Sequence, residues 1–161
     1  IGRGQTISQP YIVALMTQAL ALSDSDKVLE VGTGSGYQAA VLAEITPHVW
    51  SIEIEEALAA RAAKTLEARG YSTVRVRAGD GYLGWPEAAP FDAIIVTCAP
   101  NRIPRPLIDQ LRPGGRICIP VGETGGIQHL VLVTKTPEGA LSSRTLELVR
   151  FVPMMGISQK E

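Results

Sequence analysis

The chain has 161 residues, the length of one domain, and a chain of that size hides roughly 70% of its unfolded surface without needing disulfide or metal staples. Hydrophobic residues at 45% and charged residues at 19% exclude a disordered chain, and 15 Lys+Arg against 16 Asp+Glu exclude a protein that grips nucleic acid by bulk charge. No apolar run reaches the roughly 18–20 residues of a membrane span, no leader pattern is visible, and Cys98 and Cys118 are too few for a disulfide framework and read as free thiols of a reducing cytoplasm.

In chain order, residues 10–22 predict a helix: Ile12, Leu15, Met16, Ala19 and Leu22 fall on one face, and Pro10 suits the first turn. Residues 27–31 predict a short strand running straight into glycines, and residues 37–45 a helix after them. A strand over 49–54 precedes a helix over 55–69, which opens with acids and closes with Arg69 before Gly70. Strands follow over 74–77 and 93–97, the second apolar enough to be covered on both faces. A short helix over 106–111 ends at a turn signal, Arg112-Pro113-Gly114-Gly115, before a strand over 116–120. Residues 128–134 and 145–152 read as a hairpin pair around Pro137-Glu138-Gly139. Strand–helix–strand repetition of this kind predicts one α/β domain with a mainly parallel sheet and a C-terminal antiparallel edge.

The most informative stretch runs from Val28 to Tyr37: a strand, Gly32-x-Gly34-x-Gly36, and a helix. Glycines there allow a sharp turn and close approach of a ligand to the main chain. The spacing is neither a P-loop, which needs a Lys-Ser or Lys-Thr, nor the dinucleotide fingerprint, because Tyr37 stands where the third glycine of that pattern falls. Glu30, just before the glycines, would repel a pyrophosphate and suits an ammonium. Glu53, at the end of the second strand and 17 residues after Gly36, is placed to accept hydrogen bonds from ribose hydroxyls. Asp80, between Gly79 and Gly81, reads either as an acceptor for an adenine amino group or as a turn cap. Asp92 starts its strand away from that edge and reads as structural. An ammonium, a ribose and an adenine in a row describe S-adenosylmethionine, and the pattern resembles that of Rossmann-like class I methyltransferases.

Further motifs narrow the resemblance. Gly4-Gln5-Thr6-Ile7-Ser8-Gln9-Pro10, residues 28–42, residues 78–93 with Gly79-Asp80-Gly81-Tyr82-x-Gly84-Trp85-Pro86, residues 113–122, and Phe151-Val152-Pro153-Met154 are similar to segments of the protein-L-isoaspartate (D-aspartate) O-methyltransferases. The resemblance covers essentially the whole chain. It implies methyl transfer from S-adenosylmethionine, leaving S-adenosylhomocysteine, to the free carboxylate of L-isoaspartyl and D-aspartyl residues. The ester then collapses to a succinimide, which starts repair. By the same resemblance Ser8 is the catalytic serine, and Thr6, Ile7, Glu30, Gly32, Gly34, Glu53, Asp80 and Gly81 bind the cofactor. It also implies a cytoplasmic monomer acting on isoaspartyl-containing proteins and peptides, without metal, nucleic acid or membrane. Members carry a further helical segment before Gly4, so the chain is expected to be the catalytic core of a longer protein.

A carboxylate is already anionic at neutral pH, so alignment matters more than a base. Ser8, two residues before Pro10, is expected near the N-cap of the first helix, where its hydroxyl either caps the helix or holds the carboxylate. Two positions depart from the family: Cys98 stands where many members have Ala, and Val13 where some animal members have a histidine near the cofactor. His48 and His129 are not assigned to catalysis. Three other readings compete. One is a class I methyltransferase with a small-molecule acceptor. Another is an adenine-N6 methylase, disfavoured by Thr97-Cys98-Ala99-Pro100 in place of an Asn/Asp-Pro-Pro-aromatic turn. The third is a non-catalytic cofactor-binding module.

Overall fold

A computed structural model describes residues 1–2 and 4–160. The strands are β1 (Val28–Val31), β2 (Val49–Glu53), β3 (Arg75–Ala78), β4 (Phe91–Val96), β5 (Leu111–Val121), β6 (Gln128–Lys135) and β7 (Leu141–Val149). The helices are α1 (Pro10–Leu20), α2 (Tyr37–Ala43), α3 (Glu56–Ala68) and α4 (Arg105–Gln110). The sheet order is β3-β2-β1-β4-β5-β6-β7. Pairing is parallel from β3 through β5, and antiparallel for β5 with β6 and β6 with β7. The chain thus lays β1, β2 and β3 outward on one side, then returns to place β4 on the other side of β1. This reversal leaves a crevice beyond the carboxyl ends of β1 and β4, where open α/β sheets bind ligands.

All four residues of β1 are buried, and their alternation assigns them to two faces. Leu29 and Val31 join a core with Ile52, Phe91, Ile94, Leu107 and Ile117. Val28 joins the opposite core with Met16, Leu20, Leu42 and Ile95. Each such fully buried aliphatic side chain contributes about 1.5–3 kcal/mol through loss of water contact. Period two places Glu30 on the Val28 face, a carboxylate in the middle of the sheet.

The expected α/β architecture and antiparallel edge are present, and the larger differences of extent have local causes. The first helix stops at Leu20, because Ala21 turns left-handed (φ 47°) and returns its N–H to the Gln18 carbonyl. The Arg116 guanidinium then donates to the Leu20 carbonyl at 3.0 Å. Residues 112–115, read as a turn, lie within a longer β5 as a bulge: Phe91 pairs with Leu111 and Ala93 with Arg116, so Asp92 alone faces the extra residues. Asp92 holds the bulge structurally, accepting from Arg112 Nε and, at 2.7 Å, from the Lys27 N–H. Finally, β7 begins at Leu141, because the polar run Ser142-Ser143-Arg144-Thr145 belongs to an exposed edge strand whose pattern carries no apolar face.

Candidate active site

The loop after β1 is stitched to both neighbours. Gly32 N–H donates to the Ile52 carbonyl at 2.8 Å, and Thr97 Oγ1, just beyond β4, donates to the Gly32 carbonyl at 2.7 Å. Gly32 has φ +99°, and a Cβ there would lie 2.4 Å from Thr97 Oγ1. Only glycine allows the two strand ends to approach this closely.

Glu30 is fully buried. Its Oε2 accepts from Ser51 Oγ, on the β2 residue registered opposite it, and Ser51 Oγ is 2.5 Å from Thr33 Oγ1. Because Ser51 gives its proton to Glu30, Thr33 is the donor to Ser51. Glu30 Oε1 has no partner. Burial pushes the carboxyl pKa up to about 8; the Ser51 hydrogen bond opposes this and the Glu53 charge adds to it.

Glu53 is also buried, with Oε2 accepting from Gly34 N–H at 2.8 Å and Oε1 from Glu55 N–H at 3.0 Å. Each oxygen has one backbone donor, which leaves lone pairs for a ligand. Glu53, Gly32, Gly34 and Gly81 line one cavity with Thr6 and Thr97. Asp80 is a cap: Oδ1 accepts from Tyr82 N–H at 2.9 Å, at the start of the 3₁₀ turn Gly81–Leu83. Its Oδ2 accepts from Ile157 N–H at 2.8 Å, so the C-terminal turn Gly156–Lys160 is fastened to it. Gly156 permits that contact, since a Cβ there would lie 2.3 Å from Asp80 Oδ2. Gly81 lines that cavity, whereas Asp80 lies outside the lining.

Ser8 lies beside the N-cap of α1, as expected, but is not itself the cap. The N-cap of α1 is Gln9, with no side-chain cap bond, and Ser8 lies outside the helix. Pro10 fixes the first helical position, so the chain enters one residue later than a serine cap requires. Ser8 is half-buried and lines two cavities with Thr6 and Ile7. The smaller holds Glu30, Gly32, Gly34 and Gln38. The larger, about 350 Å³, runs toward Arg150 and Phe151 at the end of β7. Thr6 and Thr97 line all three cavities, so the glycine loop, the acids and Ser8 share one continuous neighbourhood.

Sequence reasoning passed over Thr97, Gln38 and Ser51. Thr97 was findable as the polar residue ending a buried strand at the reversal point. Gln38 was findable as a polar residue in the apolar stripe of its helix, where Ala39 and Leu42 are also buried. Ser51 needed the β1–β2 register. Cys98 borders the cavity, but burial, with the charges of Glu53 and Asp80, pushes its thiol up to about 12, so it is no nucleophile at neutral pH. His48 and His129 line none of the three cavities.

The sheet with its reversal point, the glycine loop and an acid at the end of each of the first two strands together define a Rossmann-like class I methyltransferase fold. The family model for protein-L-isoaspartate(D-aspartate) O-methyltransferase matches residues 1–159. The chain belongs to that family. It is 58% identical to protein-L-isoaspartate O-methyltransferase 1 of Nitrosospira multiformis, over 97% of this chain and 66% of the relative. It is 57% identical to the protein-L-isoaspartate O-methyltransferase of Gloeobacter violaceus, over 96% of this chain and 75% of the relative. The chain therefore spans about two thirds to three quarters of these relatives. A Plasmodium falciparum structure, described as a candidate family member in complex with S-adenosyl-L-homocysteine, superposes with a TM-score of 0.83 at 25% identity, over 96% of this chain and 78% of its own.

Proposed function

We propose that this chain transfers a methyl group from S-adenosylmethionine to the free carboxylate of L-isoaspartyl and D-aspartyl residues in damaged proteins, initiating repair through a succinimide. The observation that carries the reading, beside family membership, is the unpartnered oxygen of fully buried Glu30 beside the glycine loop. A buried carboxylate oxygen without a donor suits a ligand that brings a cation. The cofactor's ammonium does so, and the residues fit it.

When bound, S-adenosylmethionine supplies an electrophilic methyl on a sulfonium. Glu30 holds the ammonium end, and Gly32 and Gly34 let the amino-acid moiety lie against the main chain. Glu53 accepts from the ribose hydroxyls, and Asp80 with Gly81 flanks the adenine. Thr6 and Ile7 close the site from the N-terminal side. Ser8 orients the substrate carboxylate with the first turn of α1, whose N–H groups lack intrahelical acceptors. No general base is required, because the nucleophile is anionic above a pKa of about 4. Rate comes from alignment and exclusion of water.

Both cysteines are unpaired, which supports a reducing, cytoplasmic setting. A net charge of −1 and an acidic cavity support a peptide acceptor over nucleic acid. No helix among the described residues is long and apolar enough to cross a membrane. The deciding experiment offers labelled S-adenosylmethionine with an isoaspartyl peptide and its aspartyl twin. Base-labile label on the isoaspartyl peptide alone is expected; label on both, or on neither, refutes the reading.

Arg150 is the one cationic side chain lining these three cavities among the described residues, and it is exposed. A cation at the mouth draws in a carboxylate, and salt screens it. Arg150→Gln is expected to raise KM for an isoaspartyl peptide about fivefold, leave kcat within about twofold, and flatten the salt dependence of kcat/KM. Steady-state kinetics across an ionic-strength series measures all three.

A further inference from the structure

Gln38 has no part in the reading above, yet its carbonyl is the second unpartnered buried side-chain oxygen among the described residues. It sits on the second residue of α2, is 7% exposed, and lines the cavity that also holds Glu30, Val13 and Thr33. Its Nε2 donates to Thr17 Oγ1 at 2.9 Å, and Thr17 Oγ1 donates to the Val13 carbonyl at 2.8 Å. Thr17 has a single hydroxyl proton, and it goes to Val13. The Thr17 oxygen can therefore only accept from Gln38, so the amide must present its NH₂ to α1 and turn its carbonyl away from Thr17. This chain of bonds settles the orientation that an isolated amide leaves open.

Two bare acceptors, one a carboxylate and one an amide carbonyl, thus belong to side chains that line one small cavity. A hydroxyl has one proton to offer and cannot serve both. A primary ammonium has three N–H groups and a charge that matches the carboxylate. We infer that Gln38 is a cofactor-specificity residue whose carbonyl, aimed by Thr17, accepts from the ammonium of the amino-acid moiety beside Glu30. This rests on the S-adenosylmethionine reading. The competing role is purely structural, with Gln38 bracing α1 against α2 through Thr17.

The test compares two ligands by calorimetric titration: S-adenosylhomocysteine, and 5′-methylthioadenosine, which lacks the amino-acid moiety. Gln38→Leu is expected to weaken S-adenosylhomocysteine about tenfold or more and to leave methylthioadenosine within about twofold. Thr17→Val, which removes the aiming oxygen while keeping the shape, is expected to weaken S-adenosylhomocysteine by less, with the same discrimination. Equal loss of both ligands with a lowered melting temperature, or no change in either, overturns the assignment. If the unmodified protein binds S-adenosylhomocysteine no better than methylthioadenosine, the cofactor reading beneath it fails instead.

Discussion

Glu30→Gln is expected to weaken S-adenosylhomocysteine about a hundredfold at pH 8 and, at that same pH, to make the ligand-free fold more stable. The two effects have one origin. The carboxylate is fully buried with one oxygen unpartnered, and its pKa is raised from 4.5 to about 8, chiefly by burial. In the unfolded chain the same carboxyl ionises near 4.5. Between these values the folded state keeps a proton that the unfolded state has lost, so stability falls as pH rises from about 4.5 to about 8 and is level above. Each pKa unit corresponds to about 1.4 kcal/mol, so the full effect is on the order of a few kcal/mol. The amide cannot ionise and escapes it. Denaturant melts of the two proteins should agree near pH 4.5 and diverge by pH 8 in favour of Glu30→Gln. A lower stability for the variant at pH 8 would show that the carboxylate is satisfied in the free protein.

Binding carries the opposite sign. Below pH 8 Glu30 is mostly protonated, and an arriving ammonium favours the charged form. Binding therefore expels a proton, and affinity should improve up to about tenfold per pH unit between pH 6 and 8, then level off. Calorimetry at pH 7 in buffers of different ionisation heat should register release of up to about one proton in the unmodified protein. Glu30→Gln should release none from this site. The hundredfold loss is the exchange of a charge-assisted contact for a neutral one, about 3 kcal/mol.

How far this site could be read from residue order depends on where each group's partner lies in the chain. Glu30 and Gly32 were legible because strand, acid and glycine are contiguous, and contiguity fixes which sheet edge they occupy. The strands 49–54 and 93–97 were legible from β-branched runs, whereas the start of β7 was hidden by its polar face. Gln38 and Thr17 are 21 residues apart and meet only because α1 and α2 pack on the same face of the sheet. Asp80 shows the limit most clearly. A cap or an adenine acceptor was readable from Gly79-Asp80-Gly81, but its bond to Ile157, 77 residues on, depends on how the C-terminal turn returns across the site. Ser8 was legible as a neighbour of the N-cap, but whether it caps the helix depends on where the chain turns, which a serine two residues before a proline leaves open. Among the described residues its hydroxyl has no hydrogen bond, which leaves it available for the role proposed above.

Ser8→Ala is expected to lower kcat about ten- to hundredfold, the loss of one hydrogen bond to a charged group, while leaving the Kd for S-adenosylhomocysteine within about twofold. Ser8 lines both the small acid-lined cavity and the larger one leading to Arg150, and the role proposed for its hydroxyl is contact with the incoming carboxylate. A helix cap would behave differently: its removal would lower stability by about 1 kcal/mol and leave turnover of the folded protein unchanged. Ser8 makes no cap bond, so the melting temperature should stay put. A serine acting as a base would also impose a pH limb on kcat. A serine that only orients an anion imposes none, so with cofactor saturating, kcat should be flat from pH 6 to 8 in both proteins, the pH dependence being confined to cofactor affinity through Glu30. Equal losses in Kd and kcat, or a limb in the kcat profile that disappears with the serine, would remove Ser8 from the role of holding the carboxylate.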